Sequence, residues 1–241
     1  MLTKTRGIVL HVVRYGDNSL ISTIYTQDFG RQSFLVNAAH GPRSKNKAAL
    51  LQPLFLLEME VYYKQNREVQ RIKELRSAAP YHSLPFNIIK STQAIFLAEV
   101  LFKILQEEES FPQLFDFLEN SLLYYDSMEE GISNFHLWLL ARLTEFLGIL
   151  PNTEEMFPGS WFDLVKGKVV LREPAHPRRL TPEITALFVR LLTLKISDLP
   201  ELAITRKQRE NLTEGLLDYL HQHFESLANV RSLHVLKELF R

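Results

Sequence analysis

Hydrophobic and polar residues alternate along the first 76 residues, a pattern typical of β-strands with one buried face. The clearest example is segment 54–64, whose odd positions are apolar while Glu58 and Glu60 lie on the other face. Turn residues such as Gly16 and Gly30 separate the segments. The other predicted strands cover residues 8–13, 20–26, 32–38 and 69–75. Five short strands in so small a region predict a closed barrel, because closure removes exposed sheet edges.

The pattern changes near residue 79, where apolar residues begin to recur at spacings of three to five. This spacing predicts amphipathic helices, for example the one that carries Phe135, Leu139 and Leu143 on one face. Thr205 and Gln208 have the spacing of a capping box at the start of a later helix.

The two patterns together predict an α+β fold with two domains. The first, over residues 1–78, is a five-stranded barrel of the oligonucleotide/oligosaccharide-binding (OB) type. The second, over residues 79–241, is helical and contains a short hairpin insertion near 160–172.

Composition narrows the classes of protein that fit this fold. No apolar run is long enough to cross a bilayer, and we expect no membrane partner. The chain has no cysteine, which excludes disulfides, thiolate nucleophiles and cysteine-based zinc sites. These features favour a cytoplasmic protein, associated with the nucleoid if its partner is DNA.

Charge is distributed unevenly, although the formal net charge of the chain is zero. Residues 1–76 carry a net charge of +6 and residues 77–241 a net charge of −6. Between Asp28 and Glu58 there is no acidic residue. Such a split is typical of a domain that meets a polyanion, but small basic domains without nucleic-acid partners are common, and charge alone slightly favours this second interpretation.

Candidate DNA-binding residues lie in and around the acid-free stretch. They are Arg43, Lys45 and Lys47 in one basic turn, with Arg31, Lys4 and Arg14 elsewhere on the predicted barrel. OB barrels bind single strands through a basic groove with stacking aromatic residues. The candidate aromatic residues are Tyr15, Tyr25, Phe29, Phe34, Tyr62 and Tyr63, and alternation places about half of them in the core. A solvated surface turn is the alternative interpretation of the basic residues.

A second basic patch, Arg206, Lys207 and Arg209, lies in the first turn of a predicted helix, where cations oppose the helix dipole. The simpler explanation is that these cations lie on the surface and that the protein tolerates the small loss of stability they cause. Signatures of catalysis are missing: residues 41–45 lack the ending of a phosphate-binding loop, and adjacent acids such as Glu154 and Glu155 diverge on a helix. We therefore expect no enzymatic activity and no cofactor.

Several motifs resemble the RecO family of bacterial DNA repair proteins, which are recombination mediators. The resemblance rests on Thr3, residues 8–10, RYGD with Ser19 at 14–19, FGR at 29–31, Gly41 with RSK at 43–45, LLQPLFLLEMEVYYK at 50–64, LTEFLGILP at 143–151 and SLHVLKELF at 232–240. It covers nearly the whole chain and is most specific over residues 3–64.

This resemblance implies a protein without catalytic activity that binds single- and double-stranded DNA and promotes strand annealing. It further implies action with RecR, contact with the C-terminal tail of single-strand DNA-binding protein (SSB), and help in loading RecA onto SSB-coated strands. The DNA-facing role falls on Arg31, Arg43 and Lys45, while Lys47, Lys4 and Arg14 extend the site on the basis of charge. The alternative is an OB-fold module that binds protein and not DNA.

Two further expectations concern the helical domain. Arg142 is a candidate contact for the SSB tail, and an ordinary place on the helix surface is the favoured alternative. Many family members carry four cysteines as a zinc module near residues 151–171. Because this chain has none, we expect no structural zinc, and apolar packing must hold that region. The residues expected to pack there are Phe157, Trp161, Phe162, Leu164 and Val169.

Overall fold

The computed structural model describes residues 1–37 and 47–239. They form two compact units, Met1–Ser127 and Met128–Arg241, which are called the N-terminal and C-terminal units below. Within the described ranges, no helix is long and apolar enough to span a membrane.

The N-terminal unit begins with the predicted five-stranded barrel, and the α+β fold class is confirmed. The strands are β1 Leu2–Tyr15, β2 Ser19–Thr26, β3 Gly30–Asn37, β4 Leu56–Tyr62 and β5 Val69–Ser77. They close in the order β1-β2-β3-β5-β4, and every neighbouring pair is antiparallel except β3 and β5.

Side chains that point into the barrel form one apolar core. Along β4, Leu57, Met59 and Val61 are buried, and Glu58 between them faces outwards and stays partly exposed. Phe34 of β3 completes this layer with no exposed surface. The alternation of apolar and polar residues that predicted the strands is thus an alternation of inward-facing and outward-facing side chains.

A β-bulge explains why the fifth strand looked irregular in the sequence. Glu60 of β4 pairs with Glu74, but the next residue, Val61, pairs with Ile72, so Lys73 is left as the extra residue of β5. A bulge shifts the alternation by one position. Lys73 and Glu74 consequently both lie on the exposed side of the strand.

Helices α1 (Ile88–Ile104) and α2 (Pro112–Ser127) complete the N-terminal unit. Asn87 begins α1 by accepting hydrogen bonds from two backbone N–H groups of the first turn. Near the end of α2, Asp126 accepts backbone hydrogen bonds from residues 82–84 at 2.6 to 2.9 Å. On β1, Arg6 pairs with Glu119 of α2, and its guanidinium carbon lies 5.5 Å from the centre of the Phe115 ring.

The C-terminal unit is mainly helical. Its helices are α3 Phe135–Phe146, α4 Pro182–Thr193, α5 Arg206–His221 and α6 Ser232–Leu239. The predicted capping box of Thr205 and Gln208 is present at the start of α5. A small sheet contains β6 Trp161–Asp163, β7 Lys168–Val170 and β8 Arg179–Leu180, with β6 and β7 antiparallel where the hairpin was expected.

Apolar packing holds this small sheet, with one exception to the expected set. Phe162, Leu164 and Val169 are buried, and the Phe162 ring lies 4.8 Å from that of Phe188 on α4. Phe157 is 57% exposed, so its predicted place in the packing is wrong. The described part of the chain contains no group of three metal-binding side chains. The absence of structural zinc stays a prediction, which stoichiometric zinc in the purified protein would contradict.

Gly30 at the start of β3 provides a test of how closely the barrel approaches the segment after α1. Its φ is +59°, and a Cβ atom there would lie 2.7 Å from the Glu107 carbonyl oxygen. We expect Gly30→Ala to lower the free energy of unfolding by about 3 kcal/mol, since backbone strain and a collision act together. Urea denaturation measures this change.

Gly16→Ala is the matched control, because its φ is +63° but a Cβ atom meets nothing within 4 Å. That variant should lose only about 1 kcal/mol, the cost of the left-handed backbone. Equal losses in the two variants would contradict the close approach at Gly30.

Candidate functional site

A groove opens between β3 and β5, where the two strands stop pairing. Their parallel contact covers residues 33–35 and 69–71, although β3 continues to Asn37 and β5 to Ser77. The cavity has a volume of about 330 Å³. It is lined by Leu35, Val36, Asn37, Lys47, Arg71, Ile72, Lys73 and Leu75. We call it the β3–β5 groove.

The described lining of the β3–β5 groove contains three cationic side chains, Lys47, Arg71 and Lys73, and no carboxylate. Arg71 is exposed, and its side chain has no ion pair or hydrogen bond within residues 1–37 and 47–239. Lys73 Nζ lies 2.9 Å from Glu60 Oε2, and this hydrogen bond is the main cause that raises the pKa of Lys73. The groove is therefore positive and open to an anion.

A second cavity on the barrel, of about 440 Å³, has a different electrostatic character. Its charged lining residues are Lys4, Arg6, Arg76, Asp28, Glu58, Glu60 and Glu74. Four carboxylates against three cations repel a phosphate backbone more than they attract it. Lys4, predicted as a DNA contact, lies in this mixed surface and not in the β3–β5 groove.

Only Lys47 of the predicted basic turn lies in the described part of the chain, and it lines the groove. Arg43 and Lys45 lie outside the described residues. Arg14 is exposed near the end of β1, on a different strand from those that form the groove.

Arg31, the last of the six predicted DNA contacts, lies against helix α1. Its Nη1 donates hydrogen bonds to the carbonyl oxygens of Phe102 at 3.3 Å and Leu105 at 3.5 Å. Its guanidinium carbon lies 4.7 Å from the centre of the Phe102 ring. Burial lowers the pKa of Arg31, with Glu108 acting in the opposite direction. These contacts cap the carbonyls at the end of α1.

Two members of the second basic patch pair with an acid of their own helix. Arg206 Nε lies 3.2 Å from Glu210 Oε1, and Lys207 Nζ lies 3.6 Å from Glu210 Oε2. Ion pairs at these spacings are ordinary features of a helix surface.

Arg209, the third member, is directed into the C-terminal unit. Its Nε donates to Asn134 Oδ1 at 3.0 Å, and burial lowers its pKa. Burial, followed by the nearby charge of Arg209, lowers the pKa of His136 to about 3, so this histidine is neutral. Arg209 therefore belongs to a partly buried polar network.

Arg142, the candidate contact for the SSB tail, is also held within the C-terminal unit. Its guanidinium donates to the carbonyl oxygen of Leu192 near the end of α4 and lies 2.9 Å from Glu145. Trp138 on the same helix donates to the carbonyl oxygen of Leu194 at 2.8 Å. Both side chains thus connect α3 to the end of α4.

Arg71 and Lys73 line the groove but were not among the DNA contacts predicted from the sequence. Both lie on β5, whose alternation is broken by the bulge, and the sequence alone does not show that β5 lies next to β3. The sequence did contain a signal for these two residues. Arg71 and Lys73 are separated by one apolar residue, and both lie within residues 1–76, which carry the net positive charge.

Comparison with known proteins agrees with the geometry of the barrel. The family model for the Recombination protein O N terminal matches residues 1–81, and that for the Recombination protein O C terminal matches residues 85–233. DNA repair protein RecO of Phocaeicola vulgatus is 39% identical over 240 residues, and that of Flavobacterium psychrophilum is 36% identical over 245. Each match covers 100% of both chains.

A closed five-stranded barrel with this strand order and a basic groove defines an OB-type domain joined to a helical region. Together with the matches over both parts of the chain, it shows that the protein belongs to the RecO family of recombinational DNA repair proteins.

Substitution of Arg31 distinguishes a structural role of its side chain from a role in DNA binding. We expect Arg31→Ala to lower the free energy of unfolding by about 1 to 3 kcal/mol, because it leaves carbonyls at the end of α1 without a donor. Arg14→Ala is the control, since Arg14 is exposed and should leave stability unchanged. Thermal unfolding of both variants measures the effect. The DNA contact predicted for Arg31 stays a prediction, and an Arg31→Ala protein of normal stability with weakened DNA binding would support it.

Proposed function

We propose that this protein is a recombination mediator that binds single- and double-stranded DNA through the β3–β5 groove and has no catalytic step of its own. The observation that carries the proposal is the groove lining, with Lys47, Arg71 and Lys73 but no described carboxylate, in a chain of the RecO family. The basic turn with Arg43 and Lys45, which lies outside the described residues, directly follows β3 in the sequence and adds two cations to this half of the chain.

Phosphate neutralisation is the physical basis of this binding. Lysine and arginine side chains displace the counterions condensed on DNA, so affinity falls as salt rises. Lysine and arginine contacts to phosphates carry no sequence information, and we therefore expect only slight sequence preference. Lys73 takes part although it pairs with Glu60, because an exposed ion pair is weak and a phosphate can replace the carboxylate.

The mediator role extends this binding to other proteins. In our proposal the chain acts with RecR, contacts the C-terminal tail of SSB, anneals complementary strands and helps to load RecA onto SSB-coated single strands. Membership of the RecO family supports these steps. A groove that shields phosphates also lowers the repulsion between two strands, which favours annealing.

The groove cations can be tested by the salt dependence of DNA binding. We expect the double variant Arg71→Gln/Lys73→Gln to bind single strands more weakly and to reduce the log-log salt slope by about 1.4, since each phosphate contact contributes about 0.7. Fluorescence anisotropy over a salt series measures both quantities.

Arg76→Gln is the matched control on the same strand. Arg76 pairs with Glu58 and lines the cavity rich in carboxylates. It should leave the slope unchanged. Equal effects of both substitutions would mean that binding follows total charge and not the groove. If the unaltered protein bound no DNA at low salt, the alternative of a protein-binding module would replace the proposal.

Annealing tests the mediator step itself. We expect the protein to anneal complementary strands coated with SSB, with no ATP and in the presence of a chelator, and to return both strands uncut. The Arg71→Gln/Lys73→Gln variant should anneal more slowly, because the phosphates are less well shielded. Native gels measure the rate, and denaturing gels measure strand length. Cleavage that depends on magnesium would contradict the proposed absence of a catalytic step.

A further inference from the structure

The structure separates the aromatic residues of the barrel into buried and exposed ones. Phe34 and Tyr25 belong to the core, at 0% and 3% exposure. The rings of Phe29 and Tyr63 stack on each other with centres 4.0 Å apart. Among the described residues of the barrel strands, Tyr15 and Tyr62 are the exposed aromatic side chains, at 60% and 47%.

Tyr62 lies in a row of outward-facing residues that crosses four strands. In the strand register, Tyr62 of β4 pairs with Arg71 of β5 on one side and with Leu2 of β1 on the other. Arg71 in turn pairs with Leu35 of β3. Neighbouring strands lie about 5 Å apart, so the Tyr62 ring has a cation on one side and an apolar side chain on the other.

The row of Tyr62 joins the β3–β5 groove at Arg71. Arg71 and Leu35 are members of the row and also line the groove. Lys73 lines the same groove, two residues further along β5 than Arg71. A strand whose phosphates meet the groove cations therefore passes next to the exposed ring of Tyr62.

The backbone around Tyr62 is fixed by hydrogen bonds. The amino group of Met1 donates to the Tyr63 carbonyl oxygen, and the Tyr63 N–H donates to the Met1 carbonyl oxygen, both at 2.9 Å. The buried side chain of Gln70 bonds both the N–H and the carbonyl oxygen of Lys64, at 3.0 and 2.7 Å. A ring on so constrained a strand end loses little freedom when a ligand stacks on it.

Tyr15 lacks these surroundings. Its register partner on β2 is Ser19, which pairs with Asn37 of β3, and this row contains no cation. Base–aromatic stacking next to phosphate contacts requires both a ring and nearby positive charge. Of the two exposed tyrosines, Tyr62 meets both requirements.

We propose that Tyr62 is a stacking platform for an unpaired nucleobase of single-stranded DNA, while Arg71 and Lys73 hold the adjacent phosphates. This inference rests on the proposed DNA binding by the β3–β5 groove and adds a base contact to it. A base in a duplex is already stacked on its neighbours and has no free face for Tyr62. The platform therefore gives the protein a means to prefer single strands over duplexes, which phosphate contacts alone do not supply.

The test compares three labelled ligands of equal length by anisotropy: an oligothymidylate, a strand with abasic sites throughout, and a duplex. We expect Tyr62→Ala to weaken binding of the oligothymidylate about tenfold and to leave the abasic strand, the duplex and the salt slope unchanged. Tyr62→Phe keeps the ring and should bind as the unaltered protein does. Tyr62→Leu keeps an apolar side chain without the ring, and should bind as weakly as the alanine variant.

Tyr124→Ala is the control for loss of an exposed tyrosine, because Tyr124 is 41% exposed on α2. It should change none of the three affinities. Normal oligothymidylate binding by Tyr62→Ala, or an equal loss of affinity for the abasic strand, would overturn the platform while leaving the groove in place. If the unaltered protein bound none of the three ligands, the proposed DNA binding itself would fail, and the platform with it.

Discussion

The short parallel contact between β3 and β5 is the constraint on which the N-terminal unit depends. Hydrogen bonding over residues 33–35 and 69–71 is enough to close the barrel and to leave neither strand as an open edge. Because the contact ends there, Asn37 and Lys73 face a gap where a longer pair of strands would have joined them. One interaction thus encloses the apolar core and opens the basic groove beside it.

Ion pairs with β4 determine where the positive charge of the barrel is neutralised. Glu58 and Glu60 of β4 partner Arg76 and Lys73 of β5, which neutralises much of the outer surface. Arg71, by contrast, has a tyrosine as its register partner on β4. The net charge of the first 76 residues is therefore a poor guide to where an anion binds. What matters is where the cations lie relative to the carboxylates: Arg71 and Lys73 line a groove whose described lining has no carboxylate, whereas Arg76 lines a cavity that has four.

Much of the fold could be predicted because burial follows local periodicity, as in β4 and at the capping box of α5. The site was less predictable, because its properties depend on contacts distant in sequence. Arg31 contacts a carbonyl oxygen 71 residues away, which no local pattern reveals. The bulge at Lys73 shifted the exposed face of β5, so a regular alternation could not locate its cations. Phe157 was expected inside because it is large and apolar, yet it is exposed.

The connection between the barrel and the segment after α1 has a consequence for dissecting the protein. The backbone N–H of Arg31 donates a hydrogen bond to the Glu107 carbonyl oxygen at 2.9 Å. The Ser110 hydroxyl donates to the Gln27 carbonyl oxygen at 2.7 Å. The Tyr25 ring, buried in the whole chain, lies 6.2 Å from that of Phe115 on α2. The N-terminal family model covers residues 1–81, whereas the compact unit extends to Ser127, so a fragment cut at residue 81 would lose these contacts.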